Sequence, residues 1–356
     1  MAYTTIDDPS VHFQAETYTG AGASTAVTFS GNSSLQPDLL WIKNRGADYD
    51  HNIFDTTRGI AKMLEPSNNN TENTNQTWIS AVGSDSFTIG VNEHNLSNLN
   101  STYVAWAWKG NGGTTSTDTN GGYNTTVQVN SDAKMSIVTY TGTGGTSPSA
   151  TTIGHGLGVI PKAIIIRARN RVEDWHWFHY SSGTGGFRGN EADAHNDNTV
   201  LGDTLPTSSV YKVGTDFRMN GAYNYVGYFF APVQGFSKFG QYIGNGQSAN
   251  GPFVYTGFKP RFIIIKNDET GNRPFYMFDT ARNPSNPNGL KFYVNTAGQE
   301  ANDQAIDIMS NGFRVIPNAY GDVGTSSLNH SGQKLVYWAW AENPFVTSGG
   351  AAVTAG

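Results

Sequence analysis

Alternation is the clearest pattern along the chain: in several short runs, large apolar side chains fall on every second residue with small or polar ones between. Successive side chains point to opposite faces of a strand, so such runs predict β-strands. In Tyr103–Trp108, Val104, Trp106 and Trp108 share one face, while Tyr103, Ala105 and Ala107 share the other. Leu335–Ala341 repeats the scheme, with Val336, Trp338 and Trp340 set against Tyr337, Ala339 and Ala341. The tryptophan faces are predicted to fill a core between two sheets. The small faces are predicted to lie where something packs closely, with Ala105 and Ala107 as docking points for a neighbour. A second kind of run opens on a proline and is apolar on both faces, as in Pro37–Asn44, Pro161–Arg167 and Pro260–Asn267. It predicts a central strand covered on both sides.

These runs recur in a fixed order, three times. Each stretch opens on an aromatic and a glycine turn: Tyr18-Thr19-Gly20, Tyr140-Thr141-Gly142 and Tyr242-Ile243-Gly244. The Pro-led run follows, then a Phe-led segment at Phe54-Asp55, Phe178-His179 and Phe278-Asp279. A polar-Phe-x-apolar strand comes next, at Ser86–Ile89, Asp216–Met219 and Gly312–Val315, and an aromatic strand closes the stretch. Such self-similarity predicts an all-β chain of three tandem, related β-sandwich repeats of the jelly-roll or lectin-like kind. The predicted boundaries are an N-terminal arm over 1–12, repeats over 13–110, 135–235 and 236–346, and a flexible tail over 347–356. The Gly/Thr/Asn-rich stretch 111–134 has no apolar period and reads as a linker. The arm has too little apolar content to order without a partner.

Composition narrows the function classes. Of 356 residues, 42 are glycine and only 14% are charged, against about 25% in an average globular protein. Net charge is −6, and no basic run interleaves with aromatics, which argues against nucleic acid as a partner. The absence of cysteine removes disulfides, thiolate nucleophiles and Cys-based metal sites, and it suits a protein made in a reducing cytosol. No stretch approaches the length of a membrane span, so membrane insertion is not predicted, and the opening MAYTTIDDPS lacks the regions of a secretion signal.

That opening, the Tyr-Thr-Gly turn, PDLLWIKN, FDTTRG, DSFTIG and the closing strands YVAWAWKG and YWAWAENPF resemble a family of virion structural, tail-fibre-like proteins of marine tailed bacteriophages with repeated β-sandwich domains. The resemblance covers nearly the whole chain. Its middle stretch departs at the Phe-Asp-x-x-Arg position and at the final Trp pair. It implies location in a virion after synthesis in the bacterial cytoplasm, and it implies no catalytic residues.

Several clusters are candidates for chemistry. Asp55 with Arg58 and Asp279 with Arg282 read as structural ion pairs holding a turn against the strand end at Lys43 or Lys266, because scaffolds recycle structural contacts more readily than catalytic ones. Trp106, Trp108, Trp338 and Trp340 read as core. Trp175, His176, Trp177 and His179 fit either a sandwich core or an exposed platform on which a ligand such as a sugar stacks. Glu191, Asp193 and Asp197 gather oxygen ligands at alternate positions, which makes a structural calcium the candidate metal; no other cofactor is expected. No nucleophile elbow, phosphate loop or zinc spacing stands in the right context, so no enzyme is expected.

Two roles follow as expectations. One is a fibre or spike module presenting sandwich surfaces for host glycan recognition; the other is a capsid or tail decoration protein working through symmetric contacts. Either implies other virion proteins as partners and an oligomer, expected to be a homotrimer.

Overall fold

A computed structural model describes residues 2–75, 77–90, 96–144, 149–196, 202–317 and 327–353. The described chain is all-β, with two 3-10 turns and one four-residue helix as the remaining regular structure. Three larger antiparallel sheets use corresponding strands in one spatial order. In the first, the opening strand Phe13–Thr19 pairs with the closing strand Thr102–Trp108, then come the Pro-led strand Leu39–Asn44 and the Phe-led strand Asn52–Asp55. The second runs Met135–Thr141, Asn224–Phe230, Ala163–Ala168, His176–His179, and the third Ser237–Ile243, Lys334–Pro344, Phe258–Asn267, Tyr276–Asp279. Register is also shared: Trp41 pairs with Trp106, Ile165 with Tyr228, and Ile264 with Trp338. A smaller sheet accompanies each larger one, built from Thr25–Thr28, Ile79–Val82 and Ser86–Ile89 in the first unit, Thr151–Gly154 and Val210–Val213 in the second, and Phe253–Tyr255, Ala305–Met309 and Gly312–Ile316 in the third.

Both faces of the closing strands are covered, but in the opposite sense to the sequence reading. Tyr103, Ala105 and Ala107 face inward and pack with Phe87 and Ile89 of the small sheet. Ala105 and Ala107 are fully buried, so no neighbouring molecule docks there. Val104, Trp106 and Trp108 face the other two units, in a cluster that also holds Val226, Tyr228, Phe230, Val336, Trp338 and Trp340. The small residues are needed where the two sheets of one unit lie close, and the large ones fill the wider space where three units converge. Rings of the equivalent residues Trp108, Phe230 and Trp340 touch pairwise at 5.3–6.3 Å. The three units thus close around a common aromatic centre.

One turn shows why its glycine recurs. A Cβ on Gly20, Gly142 or Gly244 would fall inside contact distance of the backbone carbonyl of Asn98, Gly221 or His330, respectively. Beside each, a tyrosine hydroxyl reaches across the turn: Tyr18 to Leu96, Tyr140 to Met219 and Tyr242 to Leu328, at 2.7–2.8 Å.

Four sequence readings are corrected. The linker 111–134 contains the strands Ser116–Asp118 and Thr125–Asn130, which extend the second large sheet. Its polar Gln128 is buried because its amide donates to Thr56 and Thr57 of the first unit. The arm orders on its own chain: Tyr3 donates to Gly257, and Thr4 to Gln234. The tail is held by a 2.6 Å bond from Ser348 N to Asp7 and by a bridge between Val346 and Ala352. Finally, Phe217–Asn220 is a helical turn and not a strand, since the Asp216 carboxylate caps the Arg218 N–H.

Candidate functional site: three seams and a polar cleft

The residues singled out for chemistry meet at the boundaries between units. At the boundary of units one and two, Asp55 is buried; its Oδ1 caps the turn at Arg58 N and its Oδ2 takes Arg58 Nε at 2.5 Å. Arg58 extends to Glu72 at 2.9 Å, and Arg169 of the second unit closes on the same carboxylate at 2.8 Å. The Tyr228 hydroxyl also donates to Asp55, at 2.8 Å. Burial raises this phenol well above its ordinary range, so it remains a donor.

The boundary of units three and one repeats these positions. Asp279 pairs with Arg282 at 2.5 Å, Arg282 with Glu300 at 2.9 Å, and Arg45 with Glu300 at 3.0 Å. Trp106, equivalent to Tyr228, donates its indole N–H to Asp279 at 3.2 Å. The ion pairs expected from sequence are present, but the lysines beside them act elsewhere. Lys43 Nζ donates to the Ala297 carbonyl at 3.0 Å, Arg167 to Asn69 at 2.7 Å and Lys266 to Ala192 at 3.1 Å. All three cations are buried.

The third boundary, between units two and three, keeps the geometry and changes the chemistry. His179 stands at the Asp55 position, with its ring 4.8 Å from that of Trp338. Its Nδ1 accepts from Ser181 N at 3.2 Å, which leaves Nε2 to donate to the Tyr337 carbonyl at 3.1 Å. Burial pushes His179 down to about 3, so the ring is neutral. Ser182 stands in for the arginine and donates to Asp268 at 2.5 Å. Asp268 is also bridged by Lys334 at 2.6 Å.

Trp175, His176, Trp177 and His179 are therefore interior residues, each fully buried, and form no exposed ligand platform. Trp175 donates to the Glu65 carbonyl of the first unit at 3.0 Å, and His176 meets the Tyr211 hydroxyl at 2.9 Å. An aromatic run on a strand covered on both faces has no side left for solvent. Of the residues considered for calcium, Asp193 is engaged by Arg188, Glu191 is exposed, and Asp197 lies outside the described residues. Among the described residues, no three His, Asp or Glu side chains are grouped to hold a metal ion.

The seam partners Glu72, Glu300, Arg45 and Arg169 were not legible as a set, because the spacing from Asp55 to Glu72 differs from that between Asp279 and Glu300. Arg45 and Arg169 each stand two residues past the base that ends a Pro-led strand, Lys43 or Arg167, and that shared spacing was a signal for these two.

Solvent-facing chemistry lies in open clefts. One, of about 450 Å³, is lined by Glu173, Asp174, Arg188, Asp193, Asp216 and Arg218, among others. Its carboxylates and guanidinium groups are largely paired with one another: Arg218 with Asp216 at 2.8 Å, and Arg188 with Asp174 and Asp193. The wall thus offers donors and acceptors side by side.

The fold and seams define an all-β protein of three sandwich-like units locked around one core. The chain belongs to the family described as a domain of unknown function, DUF7483, whose model matches residues 8–344. No curated protein and no solved structure matches it.

Proposed function

We propose that the chain is a non-catalytic structural protein of a bacteriophage particle, a fibre or spike module whose outer surface meets a host glycan. One observation carries the reading: the run Trp175–His179 and the pairs Asp55–Arg58 and Asp279–Arg282, the clusters singled out as candidates for chemistry, are enclosed in the seams. The solvent-facing surface includes open polar clefts. A cleft wall of paired carboxylates and guanidinium groups suits a hydroxyl-rich, uncharged ligand, which needs donors and acceptors together. The resemblance to phage structural proteins supplies the location. No cofactor enters this reading.

A second reading, a decoration protein of the capsid or tail, is favoured by the closed three-unit arrangement, which suits a symmetric lattice position. Peptide mass spectrometry of purified particles tests the location, and absence of the chain from them would remove both readings. Incubation of the purified protein with host surface polysaccharide tests the role. Retention without cleavage is expected of the fibre module and no retention of the decoration protein. Time-dependent release of oligosaccharide would overturn the non-catalytic assignment.

A further inference from the structure

The three seams share one backbone scaffold. In each, a loop amide of one unit donates to the carbonyl two residues past the base that ends the Pro-led strand of a neighbour: Glu72 N to Arg169 O at 2.6 Å, Glu300 N to Arg45 O at 2.9 Å and His195 N to Asp268 O at 2.9 Å. Together with the two turn residues, four side-chain positions therefore correspond in every seam. Two seams fill them with an Asp, an Arg, a Glu and an Arg, linked in that order by ion pairs. The seam between units two and three fills them with His179, Ser182, His195 and Asp268.

This exchange leaves the third seam short of a bond. Tyr228 and Trp106 each donate to the buried carboxylate of a neighbouring unit. Trp338 holds the same place in strand register, but it faces the edge of the His179 ring, 4.8 Å away. Its buried Nε1 meets no acceptor among the described residues. A buried donor left so is a standing cost to the closed seam.

His179 also has no room for a second proton. Its Nε2 donates to the Tyr337 carbonyl of unit three, and its Nδ1 accepts from Ser181 N. A proton added at Nδ1 would point at the Ser181 N–H, so the turn that holds the seam must break to admit it. Burial is the largest opposition to a charged ring; the Tyr337 carbonyl favours one, and Lys334 and His195 oppose it. Asp268 gives little relief, because Lys334 and Ser182 already occupy its carboxylate at 2.6 and 2.5 Å. Lys162, on the adjacent strand of the same sheet, lies over the Tyr180 ring. Lys238, on the unit-three strand packed against the turn 180–182, donates to the Tyr255 carbonyl.

We propose that the seam between units two and three is an acid-operated latch: protonation of His179 parts the turn 179–182 and the loop at His195 from unit three, while the other two seams stay closed. The sign follows from linkage. An opened seam binds the proton and the closed one does not, so falling pH favours opening. His179 lies at about 3 in the closed seam, against 6.5 for a free imidazole, so opening gains about tenfold per pH unit between those limits. The other seams lack this response. Their guanidinium groups keep their charge throughout. Although burial opposes it, bonding to Arg169 and Arg58 holds Glu72 below the usual carboxylate range.

Hydrogen exchange on the full-length chain at stepped pH tests the latch, with the amides of Glu72, Glu300 and His195 as matched reporters of the three seams. After correction for intrinsic exchange, protection at His195 is expected to fall about tenfold per unit between pH 6 and pH 4. Protection at Glu72 and Glu300 should hold. This comparison needs no variant. His179→Asn keeps an acceptor for Ser181 N and cannot gain the proton, so it should remove the pH dependence at His195. His176→Gln, on the opposite face of the same strand, should leave it in place. A parallel fall at all three amides, no fall at His195, a slope that survives His179→Asn, or a slope lost in His176→Gln would overturn the proposal.

Discussion

The hydroxyl of Tyr228, in the closing strand of the second unit, donates a 2.8 Å hydrogen bond to the buried carboxylate of Asp55 in the first. The equivalent Trp106 of the first unit makes the same kind of bond to Asp279 of the third. Each ion pair that caps a turn inside one unit is thereby tied to an aromatic strand of the next, so turn geometry and unit packing stabilise each other.

Removing that tie while leaving the carboxylate buried exposes its cost. Tyr228→Phe is expected to destabilise the protein by about 1–3 kcal/mol, the usual range for a buried polar group left short of a partner. Urea denaturation checks the value, and stability equal to the parent would show that Arg58 alone satisfies Asp55.

Emptying the aromatic centre should cost more. Trp338 is buried against Trp177 and His179, with ring centroids 5.7 and 4.8 Å away. Trp338→Ala is expected to lose about 3–5 kcal/mol, as large-to-small changes in packed cores do. A loss below about 1 kcal/mol would mean that the units pack less closely than these rings indicate.

Stability should depend on pH through the buried seam cations. Burial pushes Lys266 down to about 7 and Lys43 to about 8, from 10.5. Between about pH 7 and pH 10.5 the unfolded chain retains protons that the folded chain has released, so this contribution makes stability rise with pH across that window. Towards acid, burial takes His176 and His179 from 6.5 down to about 3. The unfolded chain gains these protons first, and stability falls as pH drops from 6.5 towards 3. Chemical denaturation at stepped pH reads both limbs; Lys266→Met should flatten the alkaline one, and an unchanged slope in that variant would contradict the assignment.

Glycine at the repeated turn is required by close approach and not by the turn alone. Gly244→Ala places a methyl group against the His330 carbonyl and is expected to cost about 1–3 kcal/mol, as overpacking does. At Gly46 a Cβ meets nothing within 4 Å, so Gly46→Ala should be close to neutral. Thermal melts of the two variants compare them directly, and equal melting temperatures would refute the steric account.

Alternation along the chain determined that the protein is built from strands, and the spacing of its anchors determined which strands correspond. The ion pairs of Asp55 with Arg58 and Asp279 with Arg282 were also legible, because each lies within one short turn. Alternation distinguishes two faces of a strand but carries nothing about what covers each. The tryptophan faces were therefore placed inside single sandwiches when they meet between units, and Ala105 and Ala107 were placed outside when they are buried. The strand Thr125–Asn130 is not legible in the sequence for a related reason: Gln128 breaks its apolar pattern and is acceptable there only because Thr56 and Thr57 of another unit receive its amide. Burial of His176 and His179 and closure of the three seams both depend on residues far apart in the chain. Only the packing of the three units decides such contacts, because each side of a seam supplies half of the hydrogen bonds and neither half is recognisable alone.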